Sequence, residues 1–412
     1  MKKNIFIIIG IILCISISLT LVLKVIIPKL NIEKEPALKE VKIVEDLTNI
    51  KIKEDTNIPF NSDIKISDMI EEINGKLIED IKINTTTLGE KEIVFNYINN
   101  DNKKVSYKFN VNIYDDVKPI IWLGSSYTIN TDYDGKLEED IMCADNETSK
   151  PNCFIEGEYD PKKVGKYNLT YVAQDRSNNE ERVNFTLNVV DPSTNTREPN
   201  RKITNYSDII KNYKKDNTKI GIDVARYQGL IDFEKVKASG VEFAFIKVGG
   251  QKGIEKDYYI DANFIRNIEG FNEVGIPVGV YLYSYANNEE KAKEEALWIM
   301  EQIKNYKIDL PIVYDWENWS FYNAFEMSLF ELTNTAKVFI DTVESHGYQG
   351  ALYGSKNYLE KVWLSHPGIT WLAHYNETTT YKDNFKYWQI CDNGKIDGIE
   401  GTVDIDIMYE DR

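Results

Sequence analysis

Leu310-Pro311-Ile312-Val313-Tyr314-Asp315-Trp316-Glu317 is a short apolar run that ends on two carboxylates. Its β-branched residues and its opening proline suit a buried strand over 311–317. Residues two apart on a strand share a face, so Asp315 and Glu317 project together, with Cβ atoms roughly 6–7 Å apart. Tyr314 and Trp316 then face the other way. Acidic side chains are disfavoured in strands, so two at one strand end call for a reason beyond local propensity.

The surrounding sequence alternates between two periods. Strand-like runs at 219–224, 243–248, 278–284, 311–317 and 350–353 are each followed by a helix-like run, at 233–238, 261–274, 289–303, 329–345 and 357–363. Three strands without helices follow, at 370–373, 387–390 and 403–408. Regular β–α alternation implies parallel strands, and eight strands in one domain imply a closed barrel. Barrel chemistry sits at the C-terminal strand ends. Asp223 ends strand one and Asp404 opens strand eight, and closure makes those strands neighbours. One such acid would read as a helix cap or an ion-pair partner. Four at adjacent or facing strand ends read as a site. An oxygen-only metal site is the competing reading, but His346, His366 and His374 are scattered, and neither metal nor cofactor is expected.

Six stretches in order carry a family resemblance: GIDVARYQGLIDF from Gly221, LPIVYDWE from Leu310, GALYGSKNYL from Gly350, WLAHY from Trp371, YWQ from Tyr387 and DGIEGTVDIDIMY from Asp397. Together they resemble the glycoside hydrolase family 25 lysozymes, over about half the chain. The resemblance implies a flattened α/β barrel of five β/α units and three further strands, the (β/α)5(β)3 type. It also implies cleavage of the β-1,4 bond between N-acetylmuramic acid and N-acetylglucosamine in peptidoglycan. Asp223, Asp315, Glu317 and Asp404 match the family's active-site acids, with Glu317 as general acid/base. Tyr353, Tyr375, Trp388 and Gln389 match positions that line its cleft. Two stretches depart from the pattern. Val248-Gly249-Gly250-Gln251 stands where many members have Ala-Thr-Glu-Gly, and Tyr281-Leu282-Tyr283 where many have Tyr-His-Phe. Tyr283 is therefore a candidate substrate contact. Departure of the leaving sugar needs a proton, and crowded carboxylates keep one. The Asp-x-Glu spacing resembles glycosidases in which the substrate's own acetamido oxygen attacks, with Asp315 orienting the amide. The rival readings are a non-catalytic wall-binding scaffold that retains the barrel, and an enzyme on chitin-like glycans.

The rest of the chain predicts a multidomain protein. Over 38–191 short alternating runs indicate β structure, and Gly89–Asp115 aligns without gaps to Gly165–Asp191. Two all-β sandwiches follow, 38–115 and 116–191, resembling bacterial immunoglobulin-like modules. Residues 192–217, rich in Pro, Ser, Thr and Asn at their start, read as a linker, and 218–412 as the barrel. At the other end, Lys2 and Lys3 precede a charge-free run from Asn4 to Leu23, so 1–30 is expected to be a transmembrane anchor. The expected location is the cell membrane, single-pass, with the catalytic domain extracellular. Cys143 and Cys153 could close a short loop. A net charge of −17 argues against nucleic acid. The expected partners are peptidoglycan glycan strands and, through the N-terminal helix, the membrane.

Overall fold

The computed structural model describes residues 50–192 and 202–412. The expected anchor and the 193–201 part of the expected linker lie outside the described residues. Among the described residues no helix is long and apolar enough to cross a membrane. The chain divides after Ile113 into two compact units.

The first unit is built on a hairpin, Gly89–Asn99 against Lys104–Tyr114, flanked by Gly75–Leu77 and Asn57–Pro59. A two-stranded sheet, Ile50–Ile52 with Ile70–Ile73, accompanies it. Alternation puts Phe95, Tyr97, Val111 and Ile113 inside, against Ile58 and Ile66. A single helical turn, Ile66–Met69, interrupts the strands and was not expected from the sequence.

The second unit contains the same hairpin, Gly165–Gln174 against Glu180–Val190. The pairing repeats residue for residue: Gly89 faces Ile113 as Gly165 faces Val189, and Ile93 faces Phe109 as Leu169 faces Phe185. Both turns close on an asparagine in the left-handed region, Asn102 at φ 59° and Asn178 at φ 68°, which asparagine tolerates better than most residues. Asn152–Glu156 and Ser126–Asn130 complete this sheet, and Ile120–Ile121 pairs with Cys143–Ala144 beside it. The Cys143–Cys153 disulfide links those two sheets.

Eight strands close the barrel among the described residues. They are Thr218–Val224, Phe243–Gln251, Val278–Tyr283, Ile312–Asp315, Gly350–Ser355, Ile369–Ala373, Tyr387–Lys395 and Val403–Tyr409, here strands 1 to 8. Strands 1 to 7 run parallel, each paired to the next. Strand 8 is antiparallel to both strand 7 and strand 1, which corrects the all-parallel expectation. The reason is reach: a parallel return needs a crossover of about a dozen residues, and only 396–402 separate strands 7 and 8. Strand 4 also stops at Asp315, two residues short of the expected end.

Aromatic rings fill the barrel interior. Phe245 stacks on Trp371 at 4.3 Å and meets Tyr387 edge-on at 5.0 Å, with Phe243, Val313 and Met408 in the same cluster. The interior is therefore a packed core, and chemistry is confined to its open end. Helices cover the outside. Glu289–Ile303 starts on Asn288, whose side chain accepts from the Lys291 N–H. It buries Ala292, Ala296, Ile299 and Ile303 at helical spacing, and the small alanines allow close approach to the sheet. Full burial of Ile299 is worth about 2 kcal/mol.

The expected linker is partly structured. Thr204–Asn205 pairs with strand 7, and Tyr206–Tyr213 is a helix. Tyr206 is buried, and its hydroxyl donates to the Ile220 carbonyl at 3.0 Å. Tyr206, Ile209, Ile210 and Tyr213 follow the helical period, a signal hidden behind the polar stretch before it.

The second β module packs directly on the barrel. Trp122 lies 5.1 Å from Trp319 and 5.5 Å from Tyr358. Met142 and Ala144 belong to the barrel's outer apolar cluster. The Leu329 and Phe330 amides, in the first turn of helix Leu329–Ser345, donate to the Asp145 and Asn146 carbonyls at 2.8 and 3.1 Å. These are N–H groups that a helix start leaves without an intrahelical acceptor.

Candidate active site

The open end of the barrel is a cleft of about 300 Å³. Strand 1 brings Asp223, strand 4 Asp315 and strand 8 Asp404, and Glu317 follows just beyond strand 4. Asp223 and Asp404 are direct register partners. Because strand 8 is antiparallel, its first residues share a rim with the last residues of strand 1. Asp404 can therefore open its strand and still reach the cleft.

The four carboxyl groups crowd into this one cleft. Like charges so close disfavour joint ionisation, Glu317 acting on Asp315 and Asp223 on Asp404. Burial raises the pKa of Asp315 well above the carboxylate range, with the neighbouring Glu317 as the next cause. Burial also raises Glu317, and Lys247 and the Asp315 contact pull it back. Glu317 is nonetheless exposed at the rim, where an incoming glycosidic oxygen could meet it. Burial and then Asp223 push Asp404 up to about 9. Asp223 is raised by burial and by Asp406, and the amide of Gln389, donating at 2.8 Å, partly offsets this.

The expected substrate contacts fall into two groups. Tyr283, Tyr353, Tyr375 and Gln389 line the cleft. The Tyr353 and Tyr375 hydroxyls both donate to Gln389 Oε1, at 2.9 and 2.8 Å, and Gln389 Nε2 in turn donates to Asp223. Tyr283 donates to Asn318 Oδ1 at 3.2 Å. Trp388 is a correction. It is buried outside the barrel wall, with its indole N–H on the His374 carbonyl at 2.9 Å and its ring against Tyr213. Adjacent strand residues point to opposite faces, so Gln389 in the cleft puts Trp388 behind the wall.

Several cleft residues escaped the sequence reading. Lys247 lines the cleft from strand 2, its ammonium 4.8 Å from the Tyr283 ring centre and 5.7 Å from that of Tyr281. Phe243, Phe245 and Lys247 are spaced by two, and that period could have found it. Asp406, two residues after Asp404, is fully buried and accepts from the Trp371 indole at 2.8 Å. Tyr227, Tyr281 and Trp371 also line the cleft.

Behind the cleft, Glu295 is wholly buried and straps the end of strand 3. It accepts from Ser284 Oγ at 2.6 Å and from the Tyr285 amide at 3.1 Å. The Ser284 amide donates to the Asp315 carbonyl at 2.7 Å, and Asn318 Nδ2 donates to the Ser284 carbonyl. Burial raises Glu295 to about 8. The departing stretch in strand 2 has a steric reading. Gly249 and Gly250 sit at φ 150° and 152°, where a Cβ would lie 2.0 Å from the Tyr259 carbonyl oxygen and 2.4 Å from that of Tyr283. Any other residue would push apart the extra strand Tyr258–Ile260 and the Tyr283 backbone.

Comparison with known proteins agrees with this geometry. Residues 222–399 match the model of glycosyl hydrolases family 25. An uncharacterized Escherichia coli K12 protein, YegX, is 30% identical over 201 residues, 46% of this chain and 68% of that one. The chain belongs to glycosyl hydrolases family 25. It is a glycoside hydrolase of the lysozyme family. The autolytic lysozyme of Clostridium acetobutylicum is 27% identical over 195 residues, 46% of this chain and 56% of that protein. Among solved structures, the modular autolysin LytC of Streptococcus pneumoniae, in complex with a synthetic peptidoglycan ligand, gives a TM-score of 0.43 at 27% identity. The match covers 58% of this chain and 56% of that one. The chain thus spans little more than half the length of these last two. The family 25 match lies wholly within the barrel and includes Asp223, Asp315 and Glu317; Asp404 falls just after its end.

Proposed function

We propose that this chain is a muramidase that cleaves the β-1,4 bond between N-acetylmuramic acid and N-acetylglucosamine. The convergence of the Asp315 and Glu317 carboxyls in one tyrosine-lined cleft carries this reading. Two neighbouring carboxyls cannot both ionise freely, so the pair holds a proton near neutral pH. Glu317, exposed at the rim, delivers it to the leaving oxygen. Asp315, buried beneath, orients and charges the substrate's 2-acetamido group, whose oxygen attacks the anomeric carbon. Glu317 then draws a proton from the water that opens the resulting oxazolinium ion. Tyr283, Tyr353 and Tyr375 offer ring faces and hydroxyls to the sugar.

The reading extends to the rest of the chain. The charge-free run after Lys3 supports a single-pass anchor that leaves the enzyme outside the cell. The two duplicated hairpin modules, read as immunoglobulin-like, stand between that anchor and the barrel. Digestion of purified peptidoglycan by the full chain, followed by mass spectrometry, tests the assignment. New reducing ends on N-acetylmuramic acid are expected, and reducing ends on N-acetylglucosamine would overturn it. Product anomer by NMR tests the mechanism, since an inverted product is incompatible with acetamido participation.

A further inference from the structure

A second group of acids lies in the β module, where it meets the barrel. Asp115, Asp145 and Glu147 each offer a carboxylate oxygen, and the three oxygens lie within 4.8 Å of one another. The charge of Asp175 acts on Asp115 as well. Asp145 is 1% exposed, and Asp115 and Asn146 are each 8% exposed.

Each of these three buried side chains leaves an oxygen unpartnered. Asp145 Oδ1 accepts from the Glu147 and Thr148 amides at 2.9 and 2.6 Å, but Oδ2 receives no donor. Asp115 Oδ1 accepts from Asn146 Nδ2 and from the Val117 amide, and again Oδ2 receives none. The Asn146 amide thus reaches into the cluster, and its Oδ1 has no donor either. One guanidinium answers the charge: Arg176 pairs with Glu147, with Nε 2.6 Å from Oε2. Four carboxyls face one arginine, and burial raises Asp145 to about 7 and Asp115 above its ordinary value, so the cluster is short of positive charge. Buried carboxyls have to be paired, protonated or coordinated, and the unpartnered oxygens here converge on one place.

We infer that Asp115, Asp145, Asn146 and Glu147 bind a calcium ion that fastens the β module to the barrel. Every donor is an oxygen, the set that hard cations take. Mg²⁺ keeps several waters and is seldom caged by protein oxygens alone, whereas Ca²⁺ accepts irregular sets of carboxylate and amide oxygens. A buried set of carboxylate and amide oxygens therefore suits Ca²⁺ better than Mg²⁺. The fastening follows from the backbone. The carbonyls of Asp145 and Asn146, two ligands of the ion, are the acceptors for the Leu329 and Phe330 amides. Holding 145–147 rigid therefore holds the start of helix Leu329–Ser345, eleven residues after the Asn318 that follows Glu317. The inference is independent of the reaction assigned to the cleft.

The full chain, solubilised in detergent and stripped with EGTA, is titrated with CaCl₂ and, separately, MgCl₂ by calorimetry. One Ca²⁺ site per chain is expected, with Kd between about 10⁻⁶ and 10⁻³ M and weaker Mg²⁺ binding. The melting temperature should rise with Ca²⁺, and exchange of the Leu329 and Phe330 amides should slow. Asp115→Asn and Glu147→Gln should each weaken Ca²⁺ binding about tenfold or more. Asp115→Asn keeps an oxygen for the Val117 amide, so it separates loss of the ion from loss of the fold. Absence of Ca²⁺ binding, or Ca²⁺ binding unchanged in both variants, overturns the site. A fold stabilised by acid and indifferent to Ca²⁺ overturns it in favour of protons. Binding that leaves the Leu329 and Phe330 amides unaffected overturns the fastening.

Discussion

Two acidic clusters sit in the same compact unit and handle their charge in different ways. In the cleft, Asp223, Asp315, Glu317 and Asp404 crowd one another, the buried Asp406 acts on Asp223, and the nearby Lys247 is held over aromatic faces. Among the described residues no ion pair joins Lys247 to a carboxylate. In the β module, Arg176 bonds Glu147 directly, and the remaining oxygens turn inward without donors. A cation kept a short distance away lets carboxyls keep protons, and protons are what bond cleavage consumes. A cation bonded directly satisfies Glu147 alone and leaves a cage of unpartnered oxygens beside it. The same residue type thus serves two chemistries, decided by where the positive charge is placed.

The contrast can be broken first at Glu317. Glu317→Gln should lower the rate on peptidoglycan by about 10³-fold or more, with the melting temperature unchanged, because it removes a proton and little volume. A variant with most of its activity intact would dissolve the distinction between the clusters. Asp315→Asn should lower kcat by about 10²-fold while KM changes little, since it acts mainly in the transition state. Measured kcat and KM on a soluble glycan fragment would show the split, and loss through KM alone would make Asp315 a binding group only.

Stability against pH sharpens the contrast. Asp404 and Asp406 are raised to about 9 and about 8. The folded state therefore holds protons that the unfolded chain, near pKa 3.9, gives up. Their contribution is complete below about pH 4 and is lost as pH rises through 8 to 9. Asp404→Asn should add about 1–3 kcal/mol of stability at pH 8 and little at pH 3.5, with thermal melts at both values as the check. Lys247→Met should move the alkaline limb of the activity profile up by about one pH unit, because Lys247 lowers the pKa of both Asp315 and Glu317. An unmoved limb would mean that the ammonium is screened from the pair.

The barrel was legible because its strands and helices obey clean periods, and helices 233–238, 289–303 and 329–345 begin and end where those periods do. The four acids were legible from their places at strand ends. What failed was tertiary or required finer use of alternation. Trp388 was assigned to the cleft although Gln389, its neighbour, was assigned there too, and one strand cannot face both residues inward. Asp406 shares the face of Asp404 and was passed over. The direction of strand 8 depended on the length of one loop. The docking of the β module through Trp122, and the grouping of Asp115 with residues 30 and more positions away, rest on contacts that no local pattern encodes.

The reversal of strand 8 also decides where a handle can be attached. Its first residues meet the cleft, and its last, paired with Thr218 at the start of strand 1, emerge at the opposite mouth of the barrel. A linker joined after Arg412 therefore leaves on the side away from the carboxyls. Enzyme tethered to a bead or sensor by that end would keep its cleft turned toward the bulk suspension, free to engage an insoluble polymer.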